Sequence, residues 1–392
     1  MGFTAGIDRG HTLRMDSSKL RRPRVPPFDR LVGAFASRWP RFMQRLGDWE
    51  TRALHDEIAA QRIVSPVYVC GLARAGSTVL LELLAAAPEF TTHHYSDYPL
   101  LWTPYWWNWL RTRLPLPSTQ PQQRVHHDRI AVTVDSPEAF EEVLWMHFFA
   151  DRHDSRVDQV LSAQSENAAF AAFYTMHIRK LLAVRGAQRY LAKGNYNLTR
   201  IAYLRRLFPD ARFIIAVREP LAHVASLVKQ DRLFSAWAKD DPAIARHLAR
   251  CGHFEFGPHK SAVNVGDAEQ AQAIRACFAA NQSAQGYARQ WAASYGWLIR
   301  TLANDAELAC ACRLVHYGQL CAEPQAALQK IYAHAGVEIS LSAAISQQHA
   351  VRLALPDYYQ PGFSASESDL IEQETTEVWR QLCAWTMAQR QD

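Results

Sequence analysis

The run Gly71-Leu72-Ala73-Arg74-Ala75-Gly76-Ser77-Thr78 has residue types and spacing suited to holding an anion. A glycine-bearing turn between a strand and a helix lets successive backbone N–H groups and a helix N-terminus surround a phosphate-like group. The hydroxyls of Ser77 and Thr78 add donors. The spacing is that of the nucleotide P-loop G-x4-G-K-[ST], except that Ser77 stands where the lysine belongs. A P-loop kinase or NTPase would lack its cation for the transferred phosphates, and no clear magnesium-binding Asp accompanies the loop; Arg74 can supply positive charge instead. A plain turn joining strand to helix is the bland alternative. A second grouping, Cys310, Cys312, His316 and Cys321, matches no standard zinc spacing, and Val315 to Tyr317 reads as strand, so burial is favoured over a metal.

The elements that must position this loop are legible around it. Pro66 introduces Val67-Tyr68-Val69-Cys70, a short apolar run that predicts a buried strand, and Thr78 to Ala87 predicts an apolar helix stopped by Pro88. Further strands are predicted at Arg189 to Ala192, Arg212 to Val217 and Arg313 to Tyr317. Helices are predicted at about 38–60, where Phe42, Leu46, Trp49 and Leu54 fall near helical spacing, and from Ser136-Pro137-Glu138 to about Phe149. Others fall at about 166–185, from Asn197 to Pro209, from Pro220 onward and from Glu323 to Ala335, with a long polar, helical region at about 231–305. Strands alternating with helices imply one α/β domain, a P-loop-like central parallel sheet flanked by helices. Residues 1–30, with seven Lys/Arg, three Asp and several Pro, read as a loosely ordered basic arm. The expected organisation is therefore an arm and helix over 1–60, the α/β domain over 61–340, and a C-terminal helical segment over 341–392 packed on it.

With these pieces in order, the chain resembles the PAPS-dependent sulfotransferase superfamily, in its bacterial and tyrosylprotein flavour, over about residues 64–340. The Arg74-Ala75-Gly76-Ser77-Thr78 loop is similar to the family's 5′-phosphosulfate loop, with Glu82 on the following helix. Phe213 to Ser226 is similar to its 3′-phosphate motif, in which an Arg closes a strand (Arg218) and a Ser follows on the helix (Ser226). Leu314 to Leu320, followed by Glu323-Pro324, is similar to the strand-Tyr-Glu-x-Leu segment and places Tyr317 near the nucleotide. Lys193 stands where many members carry a lysine that contacts the transferred group. The resemblance implies 3′-phosphoadenosine 5′-phosphosulfate (PAPS) as co-substrate without a required metal, and a hydroxyl-bearing acceptor. The physics agrees: a 3′-phosphate suits the bidentate geometry of Arg218. Sulfuryl transfer, by analogy with phosphoryl transfer, rests on positioning and electrostatics that Arg74 and Lys193 can supply.

Two residues stand as candidates for the general base and its orienting partner. The tyrosylprotein type carries a Glu at the position that is Tyr95 here, and the cytosolic type a His at the position that is Asn195. The nearest proton acceptors are His94 and Asp97, with the His as base and the Asp orienting it. His126, His127 and Asp128 form a second polar cluster suited to an acceptor site or to the surface, and Arg352 is a candidate for capping the cofactor. The segment holding Trp102, Trp106, Trp107 and Trp109 suits an acceptor pocket, stacking on sugar rings, contact with a membrane surface, or an aromatic lid over the core.

Composition narrows the classes. A formal charge of +5 is too weak to argue for nucleic acid. The apolar stretch Tyr98 to Leu110 is too short to span a bilayer and no signal peptide is read, so a cytoplasmic location is expected. Seven cysteines without a regular framework fit a reducing compartment. The acceptor classes open to it are a saccharide, a lipid and a peptide. Besides the P-loop phosphotransferase, the alternative is a nucleotide-binding protein that has lost catalysis.

Overall fold

A strand buried on both faces must be apolar at every position, and Val67–Cys70 is: all four residues are fully buried. The computed structural model describes residues 25–113, 122–123, 131–338, 342, 353 and 362–391; His126, His127, Asp128 and Arg352 lie outside the described residues. The chain enters through α1 (Pro27–Arg38), α2 (Pro40–Ala53) and α3 (His55–Ala59), then forms β1 (Val67–Cys70), α4 (Ser77–Ala85), β2 (Phe90–Thr91) and α5 (Pro104–Arg113). A two-stranded ribbon, β3 (Gln122–Gln123) and β4 (Ala131–Val132), precedes α6 (Glu142–Phe148) and α7 (Ala168–Arg185). Then come β5 (Arg189–Gly194), α8 (Ile201–Leu207), β6 (Arg212–Val217), α9 (Pro220–Asp240), α10 (Pro242–Arg250), α11 (Ala268–Ala279) and α12 (Ser283–Ala303). The remainder is α13 (Ala306–Ala311), β7 (Cys312–His316), α14 (Tyr317–Ala322), α15 (Pro324–Ala335) and a long C-terminal helix (Ala365–Gln391).

The main sheet has the order β2-β5-β1-β6-β7 and is parallel throughout. Side chains alternate across it. Tyr68, Cys70, Phe213 and Ile215 join a core built with α7, α8 and α12, whereas Val67, Val69, Ile214 and Ala216 pack against α4 and α15. Register places Val69 beside Lys193 and Ile214, and Val217 beside His316, so β5, β1, β6 and β7 end at one common edge. The C-terminal helix runs along α12 with Ile371 and Leu382 buried, and the Gln389 side chain bonds both Leu314 N–H and Cys312 C=O of the edge strand β7.

Several elements differ from the sequence expectation. The helix expected over 38–60 is three helices, interrupted at Trp39, ahead of Pro40, and at Leu54. The buried face of α2 carries Met43, Gly47 and Glu50, leaving Phe42 and Trp49 exposed. The expected helix start at Ser136 is instead an extended segment. Its carbonyls at Val134 and Ser136 accept from Ser96 and Tyr95 N–H, and Glu138 N–H donates to His93 C=O. Ser136 Oγ accepts from Thr133 N–H at 2.9 Å, so the capping chemistry is spent on a turn and the helix begins at Glu142. Asn197 lies in a 3-10 turn, Tyr196–Arg200, that leads into α8. Tyr317 opens α14 rather than ending β7.

Candidate functional site

Both glycines of the loop are required by the backbone. Gly71 has φ +135° and a Cβ there would lie 2.7 Å from the Ala216 carbonyl oxygen of β6; Gly76 has φ +102° and a Cβ would lie 2.5 Å from the Tyr317 ring. Arg74 also takes a left-handed conformation, φ +73°, unusual for a residue with a side chain. Ala75 N–H closes the turn on Leu72 C=O at 3.1 Å. Ser77 opens α4, whose first-turn N–H groups point into the loop with no acidic residue in that turn to offset the positive end of the helix.

Three side chains from behind the sheet hold this turn. His223 of α9 is fully buried; its Nε2–H donates to Ala73 C=O at 2.8 Å and its Nδ1 accepts from the Trp291 indole N–H at 3.1 Å. Burial lowers its pKa to about 3, so the ring is neutral and the tautomer is set by these two partners. Tyr295 of α12 donates to Ala216 C=O at 2.8 Å and accepts from Leu72 N–H at 3.4 Å.

The cations predicted from sequence meet in front of the turn. Arg74 Nε donates to Ser226 Oγ at 3.3 Å, joining the loop to α9. Arg218 Nη1 donates to Arg74 C=O at 3.3 Å, and its guanidinium lies 5.9 Å from the Tyr317 ring centroid. Tyr317 in turn closes over Gly76. Ala75, Gly76, Ser77 and Thr78 thus share one mouth with Arg74, Arg218, Ser226 and Tyr317, at the carboxyl ends of β1, β6 and β7, where open α/β sheets bind ligands. Lys193 is buried one strand over, in register with Val69.

His94 and Asp97 do not form the expected base and orienting acid. The ring on Asp97 is that of His93, with Nδ1 to Oδ2 at 3.0 Å, while His94 contributes its backbone N–H at 2.9 Å. The Asp97 carboxylate also receives the Arg185 guanidinium at 2.6 Å and the Asn108 amide at 3.2 Å, and is 1% exposed. Burial alone would raise its pKa, but the His93 hydrogen bond and the Arg185 charge hold it far below the usual carboxylate range. Asp97 is therefore a structural anion tying α5 and α7 to the segment after β2. Burial, with the Arg185 charge, lowers His94 to about 4. It follows β2, two strands from β1 and hence about 10 Å across the sheet from the loop.

A different carboxylate sits beside the loop. A pocket is bounded by Leu72 and Ala73 of the turn, Asn195, Leu227 of α9, Tyr287 of α12 and Glu255. Glu255 Oε1 accepts from Asn195 Nδ2 at 2.5 Å and its Oε2 lies 3.4 Å from His253 Nδ1. Burial would raise its pKa; the His253 hydrogen bond and charge, with Asn195, keep it below the ordinary value. Nothing in sequence singled out Glu255, which lies in an irregular stretch far from the loop motif. Asn195, two residues beyond Lys193, was the only signal for that wall. The supports His223, Trp291 and Tyr295 were equally unmarked.

The remaining expectations separate cleanly. Trp102 is buried against His147 and Phe173, Trp107 donates to Ser96 C=O at 2.6 Å, and Trp109 faces solvent. Cys312 is buried, and His316 Nδ1 accepts from Gln319 N–H at the start of α14. Among the described residues no group of three or more His, Cys, Asp or Glu could hold a metal ion.

Residues 66–253 match a family model described as the sulfotransferase family. Among solved structures, sulfotransferase STF9 from Mycobacterium avium superposes with a TM-score of 0.50 at 14% identity, covering 84% of this chain and 80% of that one. Sulfotransferase STF1 from Mycobacterium tuberculosis H37Rv gives a TM-score of 0.46 at 15% identity, covering 88% and 86%. No curated protein sequence matches the chain.

Proposed function

From its membership of the sulfotransferase superfamily, we propose that the chain transfers a sulfuryl group from PAPS to an acceptor hydroxyl. The observation that carries this reading is the convergence of Arg74 on Ser226 and of Arg218 on the Arg74 carbonyl, at a glycine turn closed by Tyr317. In this reading the loop N–H groups, Ser77, Thr78 and Arg74 receive the 5′-phosphosulfate, Arg218 and Ser226 receive the 3′-phosphate, and Tyr317 faces the nucleotide. Lys193 neutralises charge on the transferred group. The acceptor enters the pocket beside Leu72; its oxygen attacks sulfur in line, and the bond from sulfur to the phosphate oxygen breaks with the electron pair leaving on 3′,5′-ADP. The hydroxyl proton passes to Glu255, which is ionised at neutral pH and faces that pocket.

Calorimetric titration without metal, comparing 3′,5′-ADP with ADP and 5′-AMP on the native protein and Arg218→Ala, tests the donor assignment. Native protein is expected to prefer 3′,5′-ADP, and Arg218→Ala to erase that preference at a cost of roughly 1.5–3 kcal/mol, about 10- to 150-fold in affinity. Equal binding of ADP, or binding only with magnesium, overturns the assignment and returns the loop to a phosphotransferase reading.

A further inference from the structure

Exposed large apolar side chains concentrate on the N-terminal helices and α5. Phe28, Leu31 and Phe35 project from α1, Phe42 and Trp49 from α2, and Trp109 and Leu110 from α5, each between 42% and 75% exposed. Ring contacts join the three helices into one surface: Phe28 stacks on Trp107 at 6.3 Å, Phe35 meets Phe42 edge-on at 5.9 Å, and Trp49 meets Trp106 edge-on at 5.9 Å.

The same surface is cationic. The three helices carry seven arginines and three acids; Glu50 is buried and Asp29 and Asp48 are half-buried, and the exposed Asp135 pairs with Arg111 of α5 at 2.9 Å, so the excess positive charge rests mainly on α1 and α2. Exposed acids resume at Asp56 and Glu57 of α3. On α2, at about 100° per residue, Arg41, Arg45, Arg52, Trp49 and Phe42 fall within an arc of about 100°, opposite Met43, Gly47 and Glu50. Two of the arginines lie over rings: Arg38 is 5.2 Å from Trp39 and Arg113 is 4.2 Å from Trp109.

We propose that the face formed by α1, α2 and α5 docks peripherally on an anionic lipid bilayer. Aromatic rings beside arginines suit the headgroup level, where the rings sit in the interface and the guanidinium groups meet lipid phosphates. Two other occupants have the wrong charge. A second copy docking by the same face would set arginine against arginine, and residues 1–24, with six Lys/Arg and two Asp, repeat the sign of the face. No described helix is long and apolar enough to cross a membrane, so the contact is surface docking. The inference is independent of the sulfuryl-transfer reading.

The full chain is to be floated with phosphatidylcholine vesicles and with phosphatidylcholine–phosphatidylglycerol vesicles, at low and high salt. Binding is expected only to the anionic vesicles and to weaken with salt. Each arginine near an anionic surface contributes roughly fivefold in partition, so Arg41→Gln/Arg45→Gln/Arg52→Gln should lower the partition coefficient by about a hundredfold. Phe42→Ser/Trp49→Ser should lower it with the salt dependence retained, and both variants should melt as the native protein does. Binding to neither vesicle, or equally to both, overturns the proposal. So does a concentration-dependent dimer that Phe42→Ser/Trp49→Ser converts to monomer without vesicle binding, which would make the face an interface between copies.

Discussion

Two carboxylates near the sheet edge illustrate how environment divides roles between like residues. Asp97 accepts from Arg185, His93, Asn108 and the His94 backbone, leaving no lone pair for an acceptor, whereas Glu255 lines a pocket beside the loop. The substitutions should therefore fail differently. Glu255→Gln should keep its affinity for 3′,5′-ADP and lose roughly a hundredfold or more in kcat once an acceptor is in hand; a parallel loss of nucleotide affinity would instead make Glu255 part of the donor site. Asp97→Asn should leave the buried Arg185 charge uncompensated and cost about 3–5 kcal/mol at neutral pH. Because the folded carboxyl is held far below its ordinary pKa of 3.8, its stabilisation is complete above about pH 4 and is lost as pH falls further. The stability curves of native protein and variant should thus converge in acid, and parallel curves in urea melts across pH would contradict the ion-pair account. Residue types alone exposed His94 and Asp97 as candidates but could not reveal which ring the carboxylate meets, since His93 and His94 are adjacent and point to different neighbours.

Between elements, the parallel strands were legible because burial on both faces leaves β1 and β6 with uninterrupted apolar runs, and Pro66, Pro88 and Pro220 punctuate them. What failed was local chemistry that tertiary pairing overrode: Ser136-Pro137-Glu138 carries a helix-start pattern, yet its backbone satisfies donors and acceptors of residues 93–96 at the sheet edge. The seating of α2 was hidden for a related reason. Its core-facing stripe contains a carboxylate, Glu50, which lies 3.0 Å from Lys180 of α7 with both groups fully buried, and which accepts from Trp106 N–H of α5 at 2.6 Å. Lys180 also donates to Gly47 C=O at 2.8 Å. One buried pair therefore fixes α2 and α5 on α7, and with them the aromatic face. Lys180→Met should cost about 3–5 kcal/mol by stranding Glu50, and Glu50→Leu/Lys180→Met should recover most of that loss, because two apolar side chains remove the charge that needed a partner. Thermal melts of the single and double variants decide it; a double variant no better than the single would mean the pair's hydrogen bonds to Gly47 and Trp106 carry the stability instead.

Across the whole molecule, the glycine loop depends on contacts that reach the far end of the chain. Ala73 is held by His223, His223 by Trp291, and the Trp291 ring meets Trp379 of the C-terminal helix at 6.2 Å; Trp379 also packs on His316 at 4.8 Å, next to Tyr317. A single side chain thus backs both the turn and the tyrosine that closes over it. Sequence reading located the loop, Arg218, Ser226 and Tyr317 as separate motifs, but this support was invisible because Trp291 and Trp379 sit in ordinary amphipathic helices with no local signature. Trp379→Ala should cost about 2–4 kcal/mol for a partly buried indole. If the packing chain positions the loop, it should also weaken 3′,5′-ADP binding several-fold while leaving Arg74, Ser226 and Arg218 chemically intact. Calorimetry at a temperature where the variant is fully folded separates the two effects. An unchanged affinity would reduce the C-terminal helix to a cover for the core, whereas a lowered affinity in the fully folded variant would make the last helix part of what presents the donor site.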